Sequence, residues 1–144
     1  MVDAKNFLRQ AFELYRRINI RNERIKRLIE LARKVTSVFK DEPARMSGNK
    51  SLMELAIVEI DAEKNLLEQD IKLFFQILGD VKRVIAKLDD KDERVILEYR
   101  YLAFATWKDI ASSLILSLQH VYRLHETALK KIEKILSTAE NESN

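Results

Sequence analysis

The chain contains no cysteine, so neither a disulfide nor a thiolate metal site can hold it together, and its stability must come from packing. Two glycines and one proline among 144 residues leave few tight turns, and too few glycines for a phosphate-cradling loop or a dinucleotide fingerprint. No apolar run approaches the roughly 18 residues needed to span a bilayer, and the N-terminus lacks the apolar block of a signal peptide. A soluble, cytoplasmic protein without a membrane partner is expected. The two histidines, His120 and His125, lie five apart, about 140° around a helix, which does not suit shared metal ligation. The acids Glu59, Asp61 and Glu63 read as solvated helix surface. Neither a cofactor, a metal, a small-molecule substrate nor catalysis is expected.

Leucine, isoleucine, lysine, arginine and glutamate dominate instead, a composition that suits long helices and predicts an all-α fold. From Phe7 to Phe39 apolar residues recur at helical spacing, with a polar lapse at Arg21 and Asn22. The stretch Asp41 to Lys50 holds Pro43 and Gly48 and reads as a loop. Ser51 followed by Glu54 has the form of a capping box, which predicts a second helix from Leu52 through Leu88, with Gly79 inside it. Two such helices form a long antiparallel hairpin that closes on itself or pairs with a second copy as a homodimer. The net charge is +3, unevenly spread: residues 1–40 carry eleven basic and four acidic side chains, residues 51–90 five and nine. A basic helix beside an acidic one explains this. Alternatively, the strip of Arg16, Arg17, Arg21, Arg24, Lys26 and Arg27 forms a secondary contact to phosphates or an acidic protein.

The acidic break at Asp89, Asp90 and Asp92 suits the end of one helix and the capping of the next, and places a boundary between 1–90 and 91–136. Three short helical segments follow. Glu93–Leu102 offers Val95, Leu97 and Leu102 to a core, Thr106–Leu114 offers Trp107, Ile110, Ala111 and Leu114, and Ser117–Leu136 offers Val121, Leu124, Ala128, Leu129, Ile132 and Leu136. Thr106, with Asp109 at the third helical position, and Ser117 are expected N-caps, leaving only two or three residues between the last two helices. A short helix, a tight turn and a longer helix describe a helix-turn-helix, whose second helix enters the DNA major groove by its N-terminal end. Residues 137–144 lack an apolar stripe and are expected to form a disordered tail. A three-helix unit of about 45 residues is marginal alone and needs the hairpin or a second copy for support.

The run Arg100-Tyr101-Leu102, Thr106-Trp107-Lys108-Asp109-Ile110-Ala111, Leu114, Ser117, Val121-Tyr122-Arg123-Leu124-His125 and Ala128-Leu129 resembles region four of bacterial sigma factors. With the hairpin before it, the chain looks like phage late transcription regulators of the RinA and ArpU type. The resemblance implies an activator in the cytoplasm of a bacterial host that binds double-stranded promoter DNA, with RNA polymerase as a further partner. It also implies that Leu118, Gln119, His120, Tyr122 and Arg123 face the groove. Gln119 can pair with adenine, Arg123 with guanine, and Leu118 can touch a thymine methyl or a protein partner. Lys108, Ser117, Lys130 and Lys131 are then phosphate contacts. The sigma pattern has glycine in both turns, where this chain has Phe104 and Ile115. A β-branched residue resists a left-handed backbone, so either another turn geometry at Ile115 or a different meeting of the two helices is expected. The competing expectation is an interaction module that binds polymerase or another regulator without reading DNA. A third is a structural coiled coil ending in a small bundle.

Overall fold

The computed structural model describes residues 3–39 and 46–143, and the regular elements among them are all helical. In chain order they are α1 (Ala4–Phe39), α2 (Met46–Ile85), α3 (Lys91–Tyr101), α4 (Trp107–Leu114) and α5 (Leu118–Ser143). The all-α class expected from the composition is observed. No helix of the described residues is long and apolar enough to cross a membrane.

Two helix limits differ most from expectation. Helix α2 is already running at Met46, so Gly48 and Ser51 lie within it, Ser51 is not its cap, and the expected loop does not extend to Lys50. Once a helix is nucleated each further residue adds a hydrogen bond, so a single glycine, costing about 1 kcal/mol, need not stop it. Pro43 lies outside the described residues. At the other end, α5 continues through Ser143 where a disordered tail was expected. No proline or glycine interrupts that stretch, Leu136 anchors it in a core, and the Thr138 hydroxyl donates to the Lys134 carbonyl at 2.9 Å.

By its contacts the chain forms two units: Met1–Leu14 together with Phe74–Asn144, and Tyr15–Leu73. The expected line at residue 90 separated hairpin from helix-turn-helix; the contacts instead join the N-terminal turns of α1 and the C-terminal turns of α2 to α3, α4 and α5. The reason is visible in the core of this first unit. Ala4 and Leu8 of α1, Val81 and Ile85 at the end of α2, and Leu88 just beyond it, are buried against Leu97, Tyr101, Ala128, Ile132 and Leu136. Burying a leucine or isoleucine side chain stabilises by about 1.5–3 kcal/mol. These five residues from α1, α2 and the turn after α2 therefore supply the support that a small three-helix unit lacks. A second cluster, Ile96, Ile110, Ala111 and Val121, with Trp107, Leu114 and Leu124 packed on it, joins α3, α4 and α5. In α3 the fully buried positions are Ile96 and Leu97, while Val95 is only partly buried.

In the second unit, ion pairs join α1 to α2. Arg17 and Arg21 both bond Asp70, Arg21 also bonds Glu63 at 3.1 Å, and Arg24 bonds Glu63 at 3.2 Å. Further along, the Thr36 hydroxyl meets Met53 Sδ at 3.1 Å. Partner numbers fall on α2 as they rise on α1, so the two helices run antiparallel here. The polar lapse at Arg21 is thus a seam position whose guanidinium satisfies two carboxylates. Glu63, expected to be solvated, is buried, as is Asp70. Burial alone pushes the Asp70 carboxyl upward, but hydrogen bonds and charge from Arg17 and Arg21 outweigh it and hold the pKa below its ordinary value.

Candidate nucleic-acid interface

The turn between α4 and α5 is built by local chemistry. The Thr106 hydroxyl accepts from the Asp109 amide at 3.1 Å and starts α4; the Ser117 hydroxyl accepts from the His120 amide at 3.1 Å and starts α5. Both caps were expected from the sequence, as was a capping role in the acidic break, where Asp90 accepts from the Glu93 amide at 3.0 Å. Three residues, 115–117, separate α4 from α5. Ile115 does adopt the left-handed conformation, at φ 56° and ψ 48°, so of the two outcomes left open the turn does not take another geometry. Phe104, in the preceding turn, has φ 59°. Each therefore takes the backbone that glycine would take without strain. The compensation lies in closure: the Leu116 amide donates to the Ala111 carbonyl at 3.0 Å, and Leu116 packs on the cluster around Ile110. The Phe104 ring centroid stands 5.6 Å from that of Phe12 and 6.4 Å from that of Phe74. The Ile115 side chain gains no such packing and is 91% exposed.

At the start of α5, Leu118, Gln119, Tyr122 and Arg123 are exposed and His120 is half-buried. At about 100° per residue the four exposed side chains occupy one contiguous arc of the helix. Ser117, Gln119, His120 and Arg123, with Ile115 and Leu116, line a shallow cleft beside the turn. The Arg123 guanidinium donates to His120 Nδ1, which fixes the ring as an acceptor at that nitrogen and steadies the guanidinium. Tyr122 is steadied from below, its ring edge-on to Trp107 at 5.4 Å, while the Arg100 guanidinium lies 4.4 Å over the Trp107 ring. The surface thus offers a carboxamide, a guanidinium, a phenol and an apolar side chain on supported backbone.

The residues assigned to phosphate contacts do not share one environment. Lys108, Ser117 and Lys130 are exposed. Lys131 instead places Nζ 2.9 and 3.1 Å from the two carboxylate oxygens of buried Glu93. That hydrogen bond raises its pKa and neutralises its charge locally, so Lys131 ties α5 to α3 rather than standing ready for a phosphate. The α1 strip is also largely committed. Arg17, Arg21 and Arg24 serve Glu63 and Asp70, Lys26 pairs with Glu23, and Arg16 also has interactions, whereas Arg27 is exposed. Three basic side chains of residues 1–40 and two acids of residues 51–90 are thus spent on pairing one helix with the other.

One residue beneath the surface was not assigned a role. His125 is buried, with Nε2 2.6 Å from the Tyr101 hydroxyl and its ring edge-on to Trp107 at 4.5 Å. Burial lowers its pKa to about 4 and raises that of Tyr101 to about 12, so both stay neutral near pH 7. Its place on the Val121, Leu124, Ala128 stripe was the available sequence signal. Among the described residues no group of three His, Asp or Glu side chains is placed to hold a metal ion. Comparison with known protein families, with curated protein sequences and with solved structures gave no match.

Proposed function

We propose that the chain is a sequence-reading DNA-binding transcription regulator, organised as a helical hairpin carrying a sigma region four-like helix-turn-helix, and that α5 reads promoter DNA in the major groove. The observation that carries this reading is the short α4, the three-residue turn with left-handed Ile115, and α5 exposing Leu118, Gln119, Tyr122 and Arg123 on its first turns. Gln119 pairs with adenine through its carboxamide and Arg123 donates two bonds to guanine, the contact geometry that distinguishes bases in the major groove. Lys108, Ser117 and Lys130 hold phosphates and set register. The resemblance to phage regulators of the RinA and ArpU type adds late-gene activation in a bacterial host, with RNA polymerase as the second partner.

A second reading is supported by Ile115 and Leu118, two exposed apolar side chains at the turn: a module that grips polymerase or another regulator there without reading DNA. Salt dependence separates the readings. Binding to duplex DNA through several phosphates weakens linearly on a log–log plot against salt, and Lys108→Ala and Lys130→Ala should each reduce the slope by about one while leaving sequence preference intact. Association that is insensitive to salt and to both lysine variants, and abolished by Leu118→Ala, would favour the protein-binding module.

A further inference from the structure

The second unit lacks a core of its own. Among the described residues of Tyr15–Leu73, Ile25 is the one apolar side chain that is buried, while Ile20, Leu31, Leu55 and Leu66 are exposed to 60%, 58%, 64% and 43%. An exposed apolar surface of this kind on a two-helix layer marks an interface rather than a solvated face.

Five of the exposed apolar residues, Ile20, Leu31, Leu52, Leu55 and Leu66, share one face, whereas Tyr15, Ile57 and Val58 lie off it. On α1, Ile20, Arg24, Arg27 and Leu31 follow one another at steps of four, three and four; on α2, Leu52, Leu55, Glu59, Ala62 and Leu66 follow at steps of three and four. Each set is a heptad-like stripe lying roughly one residue step, about 100°, back from the side on which its helix meets the other. Because α1 and α2 run antiparallel, the same sense of rotation about each axis brings both stripes to the same side of the layer. The ion pairs fix the levels. Arg24 stands opposite Glu63, and Thr36 opposite Met53, so Ile20 is level with Leu66, Leu31 with Leu55, and Arg27 with Glu59. Two apolar layers therefore flank a charged one.

We propose that this face seats a second copy of the chain, forming a two-fold symmetric four-helix bundle in which α1 of each copy lies over α2 of the other. Two two-fold arrangements bring identical faces together. With the axis across the helices, basic α1 would lie on basic α1. With the axis along them, Arg27 of one copy meets Glu59 of the second copy, Ile20 meets Leu66 and Leu31 meets Leu55. Opposite charge selects the second arrangement, as flanking charges select partner orientation in coiled coils. The inference is independent of DNA reading, since none of these residues lies in α4 or α5.

The test is sedimentation of the full chain over the micromolar to millimolar range. Wild type should sediment as a dimer, and Leu55→Glu with Leu66→Glu should sediment as a monomer whose helical circular dichroism is kept. The charge-reversed variants Arg27→Glu and Glu59→Arg should each dimerise about tenfold more weakly, and mixing the two should restore wild-type affinity, because only the mixed dimer matches opposite charges across the interface. A neighbouring pair within one copy stays mismatched in the mixture, so recovery reports contact between copies. A monomeric wild type, a dimer indifferent to the leucine changes, or a mixture no tighter than its components would each overturn the proposal. DNA binding by the same variants is read separately, and its loss in Gln119 or Arg123 variants has no bearing on dimer mass.

Discussion

The Tyr101 hydroxyl stands 2.6 Å from His125 Nε2 inside the first unit, joining the last turn of α3 to the middle of α5 beneath the candidate surface. Both groups are buried and neutral, and the consequence is a defined acid sensitivity. His125 holds its folded pKa near about 4 against 6.5 in an unfolded chain. Above pH 6.5 neither state binds a proton and the full stability is present. As pH falls from 6.5 toward about 4, only the unfolded state gains the proton, so this group should remove about 3 kcal/mol of stability across that window, and no more below it. Urea unfolding at a series of pH values checks this. His125→Gln, which keeps a polar partner for Tyr101 without titrating, should flatten that limb.

Ile115 carries backbone strain with no packing in return, since its side chain is almost fully exposed at φ 56°. Ile115→Gly should therefore stabilise the chain by about 1 kcal/mol, seen as a higher urea midpoint at unchanged slope. Phe104 has similar backbone strain, but its ring packs on Phe12 and Phe74, so Phe104→Gly should destabilise.

Gly79 lies within α2, where a Cβ would meet only the flexible end of Arg83, at 3.4 Å. Gly79→Ala should raise stability by about 0.5–1 kcal/mol through the lost entropy of the unfolded chain and the better helix propensity of alanine. Thermal unfolding followed by circular dichroism is a sufficient readout.

Removing Arg21 leaves Glu63 and Asp70 buried with only the half-exposed Arg17 and Arg24 as partners. Arg21→Ala should cost about 2 kcal/mol, because a buried carboxylate that loses a partner keeps its desolvation penalty. Adding Glu63→Gln and Asp70→Asn to that variant should recover part of the loss, which comparing the unfolding free energies of the single and triple variants would measure.

How far the sequence exposes this structure depends on the range of each interaction. The caps at Asp90, Thr106 and Ser117 are legible because a side-chain oxygen satisfies an amide three residues away, and the stripe from Val121 to Leu136 is legible because its period is helical. Val95 and Ile96 stand one step apart, and periodicity alone does not decide which of them is buried in an eleven-residue helix. The burial of Glu63 depends on Arg21, forty-two residues earlier, and Glu93 claims Lys131 from thirty-eight residues earlier, distances no local pattern spans. Ile115 shows the reverse case. Its local preference opposes the left-handed turn, and closing α4 onto α5 overrides that preference. The exposed arc on α5 follows from the helix start at Leu118, which the Ser117 cap made readable.

The most direct test of DNA reading is selection of bound fragments from a random duplex pool across a salt series, comparing wild type with the Gln119→Ala and Arg123→Ala double variant. Both side chains are exposed, so the variant should fold as wild type does. Enrichment of one defined site by wild type, with the variant retaining only salt-sensitive binding without preference, is the predicted result. Equal enrichment by both proteins, or none by either, would contradict base reading by α5.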